Sequence, residues 1–170
     1  MKKNNIILIG FMGVGKGTVA RAIFEHYGRF CIDTDDLIES VTKKKVKAIF
    51  KDMGEPYFRE LEKQCAIWLE NSISNTIIST GGGFYRQENI KSIGKVVYLK
   101  SSFEGILKRI HNSPNAKQKL AKRPLLKNLD EAKKLYDQRV AEYEKVCDVV
   151  VDVEDRDIKE VMKELLSKCE

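Results

Sequence analysis

Residues 6 to 18 read Ile6-Ile7-Leu8-Ile9-Gly10-Phe11-Met12-Gly13-Val14-Gly15-Lys16-Gly17-Thr18. Four apolar residues run straight into a glycine-rich turn ending in Gly-Lys. An amphipathic stretch with Val19, Ala20, Ile23 and Phe24 follows at once. The order is strand, loop, helix. Glycines let the backbone curl so that successive N–H groups point inward, the helix N-terminus adds its positive end, and one lysine reaches the outer phosphates. The spacing Gly10-x4-Gly15-Lys16 fits such a phosphate loop. A glycine turn without a ligand is the plainer alternative, and the flanking strand and helix weigh against it. The nucleotide-binding candidates here are Gly13, Val14, Gly15, Lys16, Gly17 and Thr18. Gly17 departs from the pattern, since a Ser or Thr at that position would hold Mg2+.

At 170 residues the chain is long enough for one domain with a sizeable core, read here as residues 1–170. No stretch approaches the roughly 18 apolar residues of a membrane span. The start, Met1-Lys2-Lys3 and an apolar run, resembles a signal peptide only superficially. The run breaks at Gly10 and reaches Lys16 without a small-residue cleavage site. Cys31, Cys65, Cys147 and Cys169 are widely spaced in apolar contexts, and His26 and His111 are the only histidines, so no zinc cluster is expected. Reduced cysteines in a cytoplasmic protein are the simpler account.

The net charge of +6 is local. Between Gly105 and Leu129 lie Lys108, Arg109, Lys117, Lys119, Lys122, Arg123 and Lys127, with no acid, and the remaining 24 basic residues face 25 acidic ones. One cationic segment suits a compact polyanion such as ATP at least as well as a nucleic-acid track. No aromatic residue lies between Lys108 and Lys127 to stack bases, so no nucleic-acid partner is expected.

Along the chain, a helix over about 16–27 precedes a short strand, Arg29-Phe30-Cys31-Ile32, which ends in Asp33-Thr34-Asp35-Asp36. In an open α/β sheet the ligand crevice lies at the carboxyl ends of the strands, where these acids stand ready for Mg2+ or a substrate hydroxyl. Asp35 or Asp36 could also cap the helix expected from near Leu37. Helical pieces over 37–53 give Val46, Ile49, Phe50 and Met53 one face. A longer helix from Glu55 to about Asn71 repeats Phe58, Leu61, Cys65, Trp68 and Leu69 at helical spacing and sets Arg59 three residues before Glu62. Thr76–Thr80 is a third strand, followed by Gly81-Gly82-Gly83. Three glycines carry an entropic penalty unless something must approach the backbone closely. A short helix near 87–93, a strand over 95–99 and a helix over 103–110 follow. Residues 111–127, with Pro114 and Pro124, read as a lid-like excursion. A helix over 129–146 carrying Arg139 and Tyr143, a strand over 148–153 and a helix over 157–169 complete the chain.

Five strands alternating with helices predict an α/β fold: a parallel sheet covered on both faces, three layers in all. The crevice should gather the loops after the first three strands.

In the order and separations of Gly10–Lys16, Asp33-Thr34-Asp35, Gly54 with Phe58-Arg59 and Glu62, Thr80–Gly83, Arg123-Pro124-Leu125-Leu126, and Arg139 with Tyr143, the chain resembles the shikimate kinases over nearly its full length. These are small members of the nucleoside-monophosphate-kinase-like group of phosphate-loop proteins. The resemblance implies a sheet ordered 2-3-1-4-5, substrate-binding helices over about 34–71, a lid over about 111–127 and a monomer. It implies Mg2+ and ATP-dependent phosphorylation of the 3-hydroxyl of shikimate, in the route to chorismate and aromatic amino acids. Lys16 and Arg123 would neutralise the transferring phosphoryl group. Asp35 would bind the ring hydroxyls and serve as base, and Asp33 would hold the metal in its outer sphere. Arg59 and Arg139 would clamp the acceptor's carboxylate, with Glu62 orienting Arg59. Gly81, Gly82 and Gly83 would meet the acceptor, with Phe50, Phe58 and Leu125 as an apolar wall. Arg109 and Arg156 would border the adenine.

The family ordinarily reads Gly-Lys-Ser-Thr, whereas Gly-Lys-Gly-Thr is the adenylate-kinase form, in which magnesium is held largely through water. Two other readings stand beside this one. A nucleoside monophosphate kinase is invited by Gly-Lys-Gly-Thr and the lid, and opposed by Asp-x-Asp and the glycine triplet. A non-catalytic nucleotide-binding module would treat Gly17 as decay.

Overall fold

The computed structural model describes residues 3–169. The apolar run Ile6–Ile9 forms β1 at the centre of a five-stranded sheet. The other strands are β2 (Cys31–Asp33), β3 (Ile77–Ser79), β4 (Lys95–Lys100) and β5 (Val149–Asp152). Their order is β2-β3-β1-β4-β5 and every pairing is parallel, with Ile6 opposite Ile77 on one side and Lys95 on the other. This is the order that the resemblance implied. Successive strand residues point to opposite faces, and all four β1 side chains are buried, so both faces of the sheet are covered.

The helices are α1 (Lys16–Tyr27), α2 (Thr34–Thr42), α3 (Val46–Met53), α4 (Glu55–Ser72) and α5 (Ile90–Ile93), then α6 (Phe103–His111), α7 (Ala116–Ala121), α8 (Leu129–Val146) and α9 (Ile158–Cys169). Helices α1 and α9 pack against one another, α4 packs on α5, and α8 lies along β4. None is long and apolar enough to cross a membrane among the described residues. Cys31, Cys65 and Cys147 are free thiols, each partly buried.

Three local readings are corrected. The second strand starts at Cys31 and passes without a loop into α2 at Thr34, ahead of the Leu37 expected. The cause is the cap. Asp33 Oδ1 accepts the backbone N–H of Asp35 at 3.0 Å and of Asp36 at 3.2 Å, so Asp33 caps the helix, and Asp35 and Asp36 form its acidic first turn. On α4 Phe58 and Leu69 are buried and Leu61 and Cys65 pack partly buried on the clusters, but Trp68 is exposed, and Glu62 and Ala66 complete the buried face. The helix expected over 87–93 is a 3-10 turn at Phe84–Arg86 followed by α5.

A second apolar cluster lies apart from the main core. Ile38, Ile49 and Phe58, with Val46 and Leu61 against them, tie α2 and α3 to the first half of α4. The second half of α4 reaches the main core through Ala66 and Leu69. Helix α3 and the first half of α4 are therefore held through the smaller cluster, while α2 runs directly on from β2.

Candidate active site

The loop after β1 turns through Gly13 and Gly15, whose φ values of +86° and +107° are left-handed and suit glycine. Lys16 opens α1 from Gly15, and its side chain folds back over the loop. Nζ donates to the carbonyls of Gly10 at 2.6 Å and Phe11 at 3.2 Å. Burial pushes its pKa down to about 8, against the upward pull of Asp35 and Asp33; Arg123 and Arg139 push it further down. A Cβ on Gly17 would press on the flexible end of the Arg21 side chain, at 3.3 Å, and its three nearest atoms would all belong to that guanidinium. Thr18 is exposed.

Arg109 comes in from α6. Its guanidinium lies so close over the loop that a Cβ on Gly15 would stand 2.6 Å from Nη2. Beside it is a cavity of about 220 Å3 lined by Val14, Gly105, Lys108, Asn112, Glu154 and Arg156, among others. Arg156 reaches this wall from the loop after β5, held by Glu164 at 2.5 Å and the Asp152 carbonyl at 2.9 Å. Arg123, between α7 and the 3-10 turn Pro124–Lys127, donates to the Lys119 carbonyl at 2.8 Å. Burial lowers the pKa of both Arg109 and Arg123.

Across the loop from these cations stands Asp35. Its Oδ1 is buried without a hydrogen-bond partner among the described residues. Burial raises its pKa to about 7, helped by the charges of Asp33, Glu62 and Glu39 and opposed by Lys16. Asp33 is held on both oxygens, Oδ1 by the two N–H groups of its cap and Oδ2 by the Ser79 hydroxyl at 2.8 Å.

The glycine triplet follows β3, and the Gly81 N–H donates to Thr34 Oγ1 at 3.1 Å. A Cβ on Gly81 would stand 2.7 Å from Asp35 Oδ1, one on Gly82 2.9 Å from Arg139 Nη1, and one on Gly83 2.5 Å from Arg59 Nη1. None of the three has a left-handed φ. They are glycines for space: each makes room for one charged side chain, and together they form a floor under Asp35, Arg139 and Arg59. The triplet pointed to a ligand approaching the backbone; what stands against it in the structure is three of the protein's own side chains.

Arg59 Nη1 donates to Glu62 Oε2 at 2.7 Å, while its Nε and Nη2 donate to Glu55 Oε1 at 3.1 and 2.8 Å. Its guanidinium lies 6.0 Å from the Phe50 ring centroid and 5.6 Å from that of Phe58. Phe50 and Leu125 are exposed and Phe58 is buried. Arg139 is 7% exposed, and its Nε is buried without a partner among the described residues. Buried arginine and carboxylate atoms without partners carry a large desolvation penalty, so they mark a place built for something else to bind.

Sequence reasoning missed Ser79, Thr34 and Glu55. Ser79 and Thr34 sit at strand ends beside recognised motifs, which was their only signal. Glu55 was read as a helix start.

A phosphate loop at the end of the central strand of a 2-3-1-4-5 parallel sheet, ringed by arginines and faced by a buried carboxylate, defines a phosphate-loop kinase. The family model for shikimate kinase matches residues 12–170. A shikimate kinase of Helicobacter hepaticus is 40% identical over 147 residues, covering 86% of this chain and 85% of its own, and one of Dictyoglomus turgidum is 33% identical over 98% of this chain and 97% of its own. The structure of a shikimate kinase from Acinetobacter baumannii in complex with shikimate superposes with a TM-score of 0.81 at 32% identity, covering 96% of this chain and 90% of that one. The chain belongs to the shikimate kinase family. A gluconokinase from Sinorhizobium meliloti shares the fold, with a TM-score of 0.61 at 18% identity.

Proposed function

We propose that this chain transfers the γ-phosphoryl group of ATP to the 3-hydroxyl of shikimate, yielding ADP and shikimate 3-phosphate. The observation that carries this reading is Asp35: a half-buried carboxylate whose Oδ1 is buried without a partner among the described residues, with a pKa raised to about 7, over the same glycine floor as Arg139 and Arg59. The loop N–H groups of Gly13 to Thr18 and Lys16 hold the β- and γ-phosphates, and Arg109 and Arg156 border the adenine. Asp35 takes the proton of the attacked hydroxyl as the new oxygen–phosphorus bond forms and the bond to the ADP oxygen breaks. Arg123 closes from the lid, adds positive charge to the transferring group and excludes water. Arg59 and Arg139 clamp the acceptor's carboxylate in bidentate fashion, and the Gly82 N–H supports it.

Mg2+ fits this site with a reduced protein share. A carboxylate offers about four lone-pair directions. Asp33 uses three of them on two N–H groups and Ser79, leaving one to hold a metal-bound water. Mg2+ keeps several waters readily, and when bound it neutralises phosphate charge. The same reading takes the chain as one kinase unit, with acceptor helices over 34–71 and a lid over 111–127, working as a cytoplasmic monomer.

The test is ADP release from ATP and Mg2+ with shikimate, and in parallel with AMP, CMP or gluconate. Shikimate-dependent release that is abolished by Asp35→Asn, with shikimate affinity much weakened by Arg139→Ala, is the expected result. Release only with a nucleotide acceptor or gluconate would overturn the acceptor assignment. No turnover with any acceptor would favour a binding module.

A further inference from the structure

The carboxylate clamp already contains a carboxylate. Glu55 Oε1 accepts from both Nε and Nη2 of Arg59, so one oxygen covers a whole edge of the guanidinium. Glu62 Oε2 holds Nη1. A guanidinium can offer a two-oxygen ligand either its Nε–Nη2 edge or its Nη1–Nη2 edge. In this structure Glu55 spans the first and Glu62 encroaches on the second.

The two acids differ in what it takes to move them. The Glu62 side chain is 0% exposed, and releasing it would strand a buried charge. The Glu55 side chain is 58% exposed and regains water as it leaves. Both its bonds converge on one oxygen, a poorer match to the fork than two oxygens in parallel. Charge favours the same choice. Arg59 and Arg139 against Glu62 and Glu55 leave no net charge for an anion, whereas without Glu55 one positive charge remains, the match for a monocarboxylate.

We infer that Glu55 is a resident counter-ion of Arg59 that the acceptor's carboxylate displaces on binding. This rests on Arg59 and Arg139 being the acceptor's carboxylate clamp. The exchange makes acceptor binding a swap of one carboxylate for another. It keeps Arg59 aligned and its charge balanced while the site is empty, and it sets a threshold that a weaker anion, or an uncharged acceptor, does not pass. Glu55 is thus a specificity-setting residue that does not touch the reacting atoms.

The experiment is calorimetric titration of the nucleotide-free wild type, Glu55→Gln and Glu55→Ala with shikimate and with its methyl ester, in which the carboxylate is capped. Displacement of an exposed pair predicts about two- to fivefold tighter shikimate binding for both variants, with no gain for the ester. Glu55→Ala checks that the glutamine amide has not made a bond of its own to Arg59. Shikimate binding unchanged or weakened in the variants would overturn the inference, because Glu55 would then align Arg59 without competing for it. An equal gain for shikimate and ester would also overturn it. Wild-type protein that binds no shikimate would instead bring down the clamp reading, and this inference with it. Circular dichroism confirms that both variants fold.

Discussion

The Tyr143 hydroxyl donates to the Gly82 carbonyl at 2.7 Å, and Tyr143 lies one turn beyond Arg139 on the same face of α8. One helix thus supplies both Arg139, a proposed clamp residue, and the strut that fixes the glycine floor beneath it. Tyr143 is fully buried, with its ring centroid 4.8 Å from that of Tyr85 and 5.2 Å from that of Tyr98. Tyr143→Phe keeps this packing and removes the strut together with the hydroxyl's contact to Arg139. It should lower stability by about 1–2 kcal/mol, since a buried acceptor loses its donor. Urea unfolding and steady-state kinetics together check this, with the shikimate KM rising several-fold and the ATP KM unmoved.

The floor gives three separable outcomes. Gly83→Ala and Gly82→Ala push on Arg59 and Arg139, so both should weaken shikimate binding by at least about tenfold while sparing ATP binding. Gly81→Ala pushes on Asp35 Oδ1 and should fall mainly on kcat. Titration of each variant with shikimate and with ADP checks the split. Equal loss of both ligands would mean that the substitutions unfold the site and do not simply fill it.

Asp35 and Lys16 place the pH dependence in a narrow range. The acid limb of kcat/KM for shikimate should turn near pH 7, where Asp35 gains its charge, and the limb for ATP should fall above about 8, where free Lys16 loses its own. The two groups interact, so the measured values belong to the pair. Stability runs the other way for Asp35. Its pKa is raised from 3.8, so the native state binds more protons than the unfolded chain between about 4 and 7, and stability present below pH 4 is lost as pH rises through 7. Lys16 is lowered from 10.5, so its burden is greatest below about 8 and lifts toward 10.5. Asp35→Asn should therefore melt several degrees above the wild type at pH 8, and the gap should close below pH 4. A thermal melt series across pH tests the sign.

Gly17 is a departure with room to be reversed. A Cβ there meets only the flexible end of Arg21 at 3.3 Å, so Gly17→Ser should fold and bind ATP. Its hydroxyl restores a metal ligand, and the Mg2+ concentration for half-maximal rate should fall. An unchanged or higher requirement would show that water already serves as well as serine does.

The sheet, the phosphate loop and the order of the motifs were legible in the sequence because each rests on local chemistry: β-branched runs, glycine spacing, a Gly-Lys before a helix. The capping role of Asp33 was not, because three nearby acids are interchangeable on paper until the strand end fixes which one reaches the free N–H groups. The buried face of α4 was read without Glu62, because a charge wholly inside, tolerated through its pairing with Arg59, gives no apolar signal. The triplet announced close approach, but which side chain meets which glycine depends on α2, α4 and α8 converging from distant parts of the chain.

Hydrogen exchange should report how unevenly the molecule is held. The main core spans all five strands, whereas α2 and α3 depend on three buried side chains, Ile38, Ile49 and Phe58. At about 1.5–3 kcal/mol for each, that cluster is the weaker anchor. Amides of α2 and α3 should exchange faster than those of β1 and β4, and shikimate should protect them selectively. Uniform exchange would contradict the two-cluster description.

That division gives the clamp a mechanical meaning. Arg59 rides on the end of α4 that belongs to the smaller cluster, while Arg139 is rooted in a helix packed on the sheet. On the proposed clamp, a carboxylate gripped from both sides would become a tie-rod between a firm frame and a looser bracket. The acceptor would then serve as the last fastener of the pocket that receives it, and a molecule too short or too long to span the gap would leave the bracket slack.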